Sequence, residues 1–207
     1  MLGLVNYGSG NYRSVCNALD FLLIDYIEIK TAKDLASVSH IILPGVGAFN
    51  DCMSRLQETN LLDDLARDVL ENKKLFLGIC VGHQILMSLG TEFEEKEGLG
   101  WIPGITRKLV TKDHLPVPHI GWTEVHHDCA SELFKNINSG ATFYFVHSYY
   151  TATENNEDIL ATARYGVDFA AAIQRDNIFG VQFHPEKSQE NGLQLLKNFS
   201  ELNGGLD

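Results

Sequence analysis

Leu75-Phe76-Leu77-Gly78-Ile79-Cys80-Val81-Gly82-His83-Gln84 decides how this chain folds. Residues 75–79 are an unbroken apolar run, the pattern of a strand buried on both faces. Ile85-Leu86-Met87 follows as a helical pattern, so Cys80 falls on the turn between strand and helix, with a glycine two residues to either side. Upstream, residues 2–5, 26–29 and 40–43 read as further buried strands. Amphipathic stretches lie between them: Val15, Ala18, Leu19 and Leu22 share one helix face, and so do Leu61, Leu62, Leu65, Val69 and Leu70. This alternation predicts an α/β fold, a central and mostly parallel sheet with helices on both faces. Downstream the pattern changes. Residues 142–150, 159–163, 170–174 and 178–183 read as strands separated by turn residues, which predicts an antiparallel section in the second half. A last helix is expected from about Asn191 to Leu202.

The chain has 207 residues, enough for one domain, here residues 1–203 followed by a loose tail at 204–207. The hydrophobic fraction is 44% and the charged fraction 21%, ordinary for a globular protein. A net charge of −11 argues against a broad nucleic-acid or anionic-membrane surface, and allows a small-molecule enzyme or a basic partner. The cysteines at 16, 52, 80 and 129 form no C-x-x-C pair. No cleavable signal is visible, and the apolar run 21–24 is far too short for a membrane span. A reduced, cytoplasmic setting is the expectation, and there a cysteine deserves reading as a nucleophile.

Cys80 fits that role. Glycines on both sides suit a sharp turn, the cysteine counterpart of a G-x-S-x-G elbow. The start of a helix would favour the thiolate, and the Val81 amide would point where an oxyanion forms. A nucleophile needs a base and a group to orient it. Gly180-Val181-Gln182-Phe183-His184-Pro185-Glu186 supplies both. His184 precedes a proline and is biased to extended backbone, so His184 and Glu186 have the same parity and project to one side. A carboxylate there would hold the imidazole tautomer. The third piece is Ile41-Ile42-Leu43-Pro44-Gly45-Val46-Gly47-Ala48-Phe49, a strand, a glycine loop and a helix start; such a loop can bring a second backbone amide to an oxyanion, or be a plain strand-to-helix turn.

With these segments in view, the chain resembles the class I, triad-type glutamine amidotransferases over nearly its whole length. Within them it is most similar to the glutaminase subunits of imidazole glycerol phosphate synthase. The elbow and Gly180–Ser188, reading GVQFHPEKS, carry the broad resemblance. Pro118-His119-Ile120-Gly121-Trp122 and Phe143-Tyr144-Phe145-Val146-His147-Ser148-Tyr149 narrow it, together with Asn6-Tyr7-Gly8-Ser9-Gly10-Asn11. The resemblance implies that Cys80 attacks the glutamine side-chain amide, His184 moves protons, Glu186 orients it, and Val46 and Val81 offer the oxyanion amides. It implies that Gly45, Gly47, Gln84, Glu92, His147, Ser148 and Tyr149 surround bound glutamine, Glu92 suiting the α-ammonium. It places Asn11, Trp122, Tyr144 and Lys187 toward a (β/α)₈ cyclase subunit. That partner receives the ammonia, in a heterodimer that makes imidazole glycerol phosphate and AICAR for histidine biosynthesis. No cofactor or metal is implied.

Two positions depart from the family pattern: His83 stands where Met is usual, and Asn6 where Asp is frequent. The plain reading of His83 is a change in wall polarity beside the nucleophile. Both departures leave room for a paralogue that feeds ammonia to a synthase-like partner in bacterial surface-sugar biosynthesis. A stand-alone cysteine hydrolase of γ-glutamyl bonds and a non-catalytic scaffold are the other readings. Arg13 removes the third glycine of a dinucleotide fingerprint, and neither a phosphate-loop motif nor H-E-x-x-H occurs. His126-His127-Asp128-Cys129 lacks a second ligand cluster to complete a metal site. The acidic stretch from Glu92 to Glu97 reads first as a solvated loop.

Overall fold

The computed structural model describes residues 1–8, 10–111, 115–128 and 131–203, so the tail expected at 204–207, Ser9 and Cys129 lie outside the described residues. In chain order the elements begin β1 (Leu2–Val5), α1 (Tyr12–Phe21), β2 (Tyr26–Ile29), α2 (Ala32–Ala36), β3 (His40–Gly45), α3 (Phe49–Glu58) and α4 (Leu62–Ala66). They continue with β4 (Leu75–Cys80), α5 (Val81–Gln84), β5 (Leu89–Gly90), β6 (Lys96–Glu97), β7 (Gly104–Lys108), β8 (His119–His127) and β9 (Ala141–His147). Last come β10 (Tyr149–Thr153), β11 (Ile159–Tyr165), β12 (Val167–Arg175), β13 (Ile178–Val181) and α6 (Gln189–Glu201). The large sheet runs β2-β1-β3-β4-β13-β12-β11-β8-β9. From β2 to β13 the pairings are parallel, and from β13 to β9 antiparallel. A small sheet, β10-β7-β5-β6, stands beside it. Among the described residues no helix is long and apolar enough to cross a membrane.

The parallel half is built as its apolar runs require. Every residue of β1, β4 and β13 is buried, and β3 is buried after His40. The antiparallel half alternates instead. On β9, Phe143, Phe145 and His147 point into the core while Tyr144 and Val146 are half-buried.

Three expectations change. Residues 142–150 are not one strand: the chain leaves the large sheet after His147 and enters the small one at Tyr149. His147 Nδ1 bonds the Tyr149 carbonyl (2.9 Å) and the Leu109 amide holds the Ser148 carbonyl (2.8 Å), and together they set the bend. The helix expected to carry Leu61 through Leu70 passes into a π-helical turn at Arg67–Glu71, which rotates Leu70 out to solvent. The stretch 92–97 is not simply solvated: Lys96 and Glu97 form β6, and Lys96 Nζ donates to Ser54 Oγ (2.6 Å).

Helix α6 packs onto a 3₁₀ turn at Pro185–Lys187, which α1 also touches. The approach depends on Gly192, where a β-carbon would overlap the Pro185 carbonyl oxygen. An alanine inside a helix ordinarily stabilises by about 1 kcal/mol relative to glycine. At this site the overlap with backbone outweighs that gain, and overpacking costs about 1–3 kcal/mol. Gly192→Ala is therefore expected to lower the urea midpoint; a midpoint that stays or rises would contradict the close approach.

Candidate active site

Cys80 ends β4 with φ 54° and ψ −107°, a strained conformation for a side chain with a β-carbon. The strain sits on the cysteine itself, and the flanking glycines serve close approach. A β-carbon on Gly82 would overlap the Leu43 carbonyl oxygen of β3, and one on Gly78 would overlap the Gly82 carbonyl oxygen. Gly45 meets the same turn, its β-carbon position lying 2.5 Å from the Gly82 amide nitrogen. The helix after the elbow is shorter than the sequence suggested. It ends at Gln84 after one turn, with Ile85 as its cap, so it offers the sulfur only a few aligned peptides. Instead Gln182 Nε2 stands 3.8 Å from Sγ and the Val146 carbonyl oxygen 3.9 Å.

His184 and Glu186 do converge, but not by strand parity. β13 ends at Val181, and Pro185–Lys187 curls into the 3₁₀ turn, which folds Glu186 back so that His184 Nδ1 meets Oε1 at 2.8 Å. The turn is tied to β9: the His184 amide donates to the Tyr144 carbonyl (2.9 Å), and Ser188 Oγ bridges the His184 carbonyl (2.6 Å) and the Tyr144 amide (2.9 Å). Burial works against an imidazolium at His184. Negative charge on Cys80 and a hydrogen bond to it, then the Glu186 carboxylate, outweigh burial and push the His184 pKa up to about 10. Cys80, His184 and Glu186 thus form one electrostatic unit.

Cys80 opens into a cleft of about 260 Å³. Val46, Gly47, Val81, Gln84, Glu92, His147, Ser148 and Tyr149 line it with Cys80 and His184, and so does Lys187, which the resemblance placed toward a partner subunit. Glu92 is anchored at the start of α3, where Oε2 accepts the Phe49 amide (2.8 Å). Gly45, expected near substrate, lies behind the cleft wall, because β3 carries it against Gly82.

Asn11 is also not where it was expected. It is only 3% exposed, and Nδ2 donates to Glu186 Oε1 (3.2 Å). Its backbone carbonyl takes the Ser14 and Val15 amides at the start of α1, while its side chain makes no capping bond and turns inward to the carboxylate. Trp122 and Tyr144, by contrast, sit opposite each other on β8 and β9, ring centroids 5.8 Å apart, with Trp122 46% exposed.

His83 does not face the cleft. It is fully buried behind the elbow with Nε2 2.9 Å from Thr151 Oγ1; burial first, then the neighbouring His147, push its pKa down to about 3. Asn6 donates to the Glu28 carboxylate away from the cleft, where an aspartate would set one carboxylate against another. Val146 and Pro118 line the cleft and Gln182 underlies the sulfur, roles the sequence reading did not assign. Gln182 had one visible signal, a polar residue inside an apolar strand end. His126 pairs with Glu124 (3.6 Å) and His127 stacks on Phe134. No cluster of three His, Cys, Asp or Glu residues suited to a metal occurs among the described residues.

The family model described as "Glutamine amidotransferase class-I" matches residues 11–202. The chain is 43% identical over 206 residues to the imidazole glycerol phosphate synthase subunit HisH of Leptospira borgpetersenii, covering 98% of this chain and 100% of that protein. It is 44% identical over 205 residues to the protein of the same name from Leptospira interrogans, with the same coverage. A solved structure titled "Crystal structure of glutamine amidotransferase" superposes with a TM-score of 0.74 at 18% identity, over 96% of each chain, a likeness of fold. The chain belongs to the class-I glutamine amidotransferase family, on the branch of the HisH subunits of imidazole glycerol phosphate synthase.

Proposed function

We propose that this chain hydrolyses glutamine to glutamate and ammonia, and passes the ammonia to a (β/α)₈ cyclase subunit with which it forms a heterodimer in histidine biosynthesis. The observation that carries this reading is the cleft itself. Cys80, His184 and the anchored Glu92 share it in a chain so similar, end to end, to subunits of imidazole glycerol phosphate synthase. That similarity favours the histidine branch over a surface-sugar paralogue or a stand-alone hydrolase.

The steps follow from the groups present. Glutamine enters with its α-ammonium against Glu92 and its carboxamide over Cys80. The thiolate attacks the amide carbon, and the oxyanion is held by the amides of Val81 and Val46. The His184 imidazolium gives its proton to the leaving nitrogen, ammonia departs, and a thioester remains. Neutral His184 then takes a proton from water as the water attacks. The second tetrahedral intermediate expels the thiolate, and glutamate leaves. Glu186 accepts from Nδ1 throughout, so that Nε2 is the nitrogen left to exchange protons. Trp122, Tyr144 and Lys187 are assigned to the partner face, Asn11 to the back of the catalytic unit. The chemistry uses no metal or cofactor, and the protein is assigned to the cytoplasm.

In the complex, Cys80→Ala is expected to reduce glutamine hydrolysis to background, on the order of 10⁶-fold, and Glu186→Gln to lower it by a smaller factor of about 10⁴. With ammonium supplied instead, the Cys80→Ala complex should make product at the wild-type rate; product formation lost with both nitrogen sources would place the damage at the partner interface. The raised pKa of His184 makes a second check. Its folded-state value lies above that of a free imidazole, so the stabilisation it lends is in place at low pH and fades as pH rises through about 10. In Cys80→Ala the imidazole midpoint, followed by NMR, should fall well below about 10; an unmoved midpoint would separate the sulfur from the base. Coupling is the third. Glutaminase activity should be low for the free chain and rise when the cyclase binds its ligand, with the 44–47 loop as the element that presents or withdraws an oxyanion donor, worth about 10²–10³ in rate. Equal rates for the free chain, the complex and the ligand-bound complex would favour a stand-alone hydrolase.

A further inference from the structure

A line of polar groups runs from β8 through the cleft wall to the sulfur. Thr123 Oγ1 on β8 lies 2.8 Å from His119 Nε2. His119 Nδ1 lies 2.9 Å from His147 Nε2, and His147 Nδ1 lies 2.9 Å from the Tyr149 carbonyl oxygen. That same oxygen accepts from Gln84 Nε2 (2.9 Å), which also donates to Gln182 Oε1 (3.0 Å). Gln182 Nε2 then stands 3.8 Å from Cys80 Sγ. His119, His147, Gln84 and Gln182 are all buried, and His119 is stacked against Tyr165 and Phe145.

The direction of every bond follows from the ends. A carbonyl oxygen only accepts, so His147 Nδ1 carries the hydrogen. Burial keeps both imidazoles neutral, pushing His147 down to about 3 and His119 to about 4. His147 Nε2 is therefore an acceptor, His119 Nδ1 is the donor to it, and His119 Nε2 accepts from the Thr123 hydroxyl. Gln84 spends one amide hydrogen on Tyr149 and the other on Gln182 Oε1, which leaves the Gln182 amide hydrogens turned to the sulfur. Reversing any member would leave a buried donor or acceptor unmatched.

We propose that Gln182 is a catalytic hydrogen-bond donor to the Cys80 thiolate, and that His119 is a positioning residue which keeps the Gln182 amide turned toward the sulfur. The proposal rests on the reading of Cys80 as the nucleophile. It gives the thiolate a neutral partner that carries no transferable proton, and leaves His184 free to protonate the leaving nitrogen. It also ties the sulfur to β8, the strand whose outward residues Ile120 and Trp122 are exposed.

The test is the pH–rate profile for iodoacetamide alkylation of Cys80 in the full chain, with Cys80→Ala giving the background from the other cysteines. Gln182→Leu should move the acid limb of the alkylation profile upward by about one pH unit, an about tenfold slower rate on that limb, while the plateau at higher pH stays at the wild-type rate. His119→Leu should move the limb the same way by a smaller amount. His119→Asn, whose Nδ2 replaces the lost donor to His147, should restore it. An unmoved acid limb in Gln182→Leu and His119→Leu would overturn the proposal, and so would a plateau lowered by the same factor, which marks altered access. Should Gln182→Leu fail to fold, the His119 pair decides alone: equal rates in His119→Leu and His119→Asn refute the relay. Steady-state glutamine hydrolysis separates this from the broader reading. Cys80-dependent hydrolysis with flat alkylation data removes only the role of Gln182, whereas no glutamine hydrolysis by the complex removes the glutaminase reading.

Discussion

Three backbones meet at the elbow with no room for side chains between them. Leu43 on β3 offers its carbonyl to the space beside Gly82, Gly78 on β4 lies under the Gly82 carbonyl, and Gly45 abuts the Gly82 amide. This crowding holds Cys80 in a positive-φ conformation that a turn in solvent would relax. Everything else in the site is placed against that point. β13 pairs with β4 in register, Gly180 beside Gly78 and Val181 beside Ile79, so the chain emerges next to the cysteine with His184 three residues on. β9 then ties down the turn that presents the histidine, through Tyr144 and Ser188. The fixed scaffold is thus backbone packed on backbone, and the side chains of Cys80, His184 and Glu186 are carried on its margins.

The electrostatics follow the same division. The unit of Cys80, His184 and Glu186 is shielded: Glu186 has no exposed side-chain surface, and Asn11 supports it from the start of α1. Behind the cysteine the polar groups are uncharged. His83, His119 and His147 are all held neutral by burial, so these three imidazoles add no positive charge. His184, contacted by both Cys80 and Glu186, is driven the other way.

The parallel half and the elbow were legible because their signal is local. Residues 75–79 are apolar throughout, and a strand of that kind has few places to go except the middle of a sheet. The pair His184 and Glu186 was legible as chemistry, yet the geometry that joins them was not, since the proline begins a 3₁₀ turn where the sequence suggested extended chain. β7 and β8 went unread. β8 carries His119, Gly121, Thr123 and Glu124 among its apolar residues, and only its cross-strand partners on β9 and β11 reveal it as a strand. Whether Asn11 or Gln182 turns inward depends on a carboxylate or sulfur far away in sequence, which no local pattern reports.

The position of β13 has a consequence for how the molecule is made. This strand lies fifth in a nine-strand sheet, between β4 and β12, but is thirteenth in the chain. A nascent polypeptide on the ribosome therefore completes β1 through β12 before the piece that joins the two halves of the sheet is synthesised. Until then β4 and β12 each present an open edge, apolar and ready to pair with any passing strand. The late insertion makes assembly dependent on contacts between distant segments, the kind that close slowly. It also means that the histidine, just beyond β13, reaches the cysteine only when the sheet is whole. A truncated or half-folded chain therefore holds the Cys80 thiol without the His184 imidazole beside it.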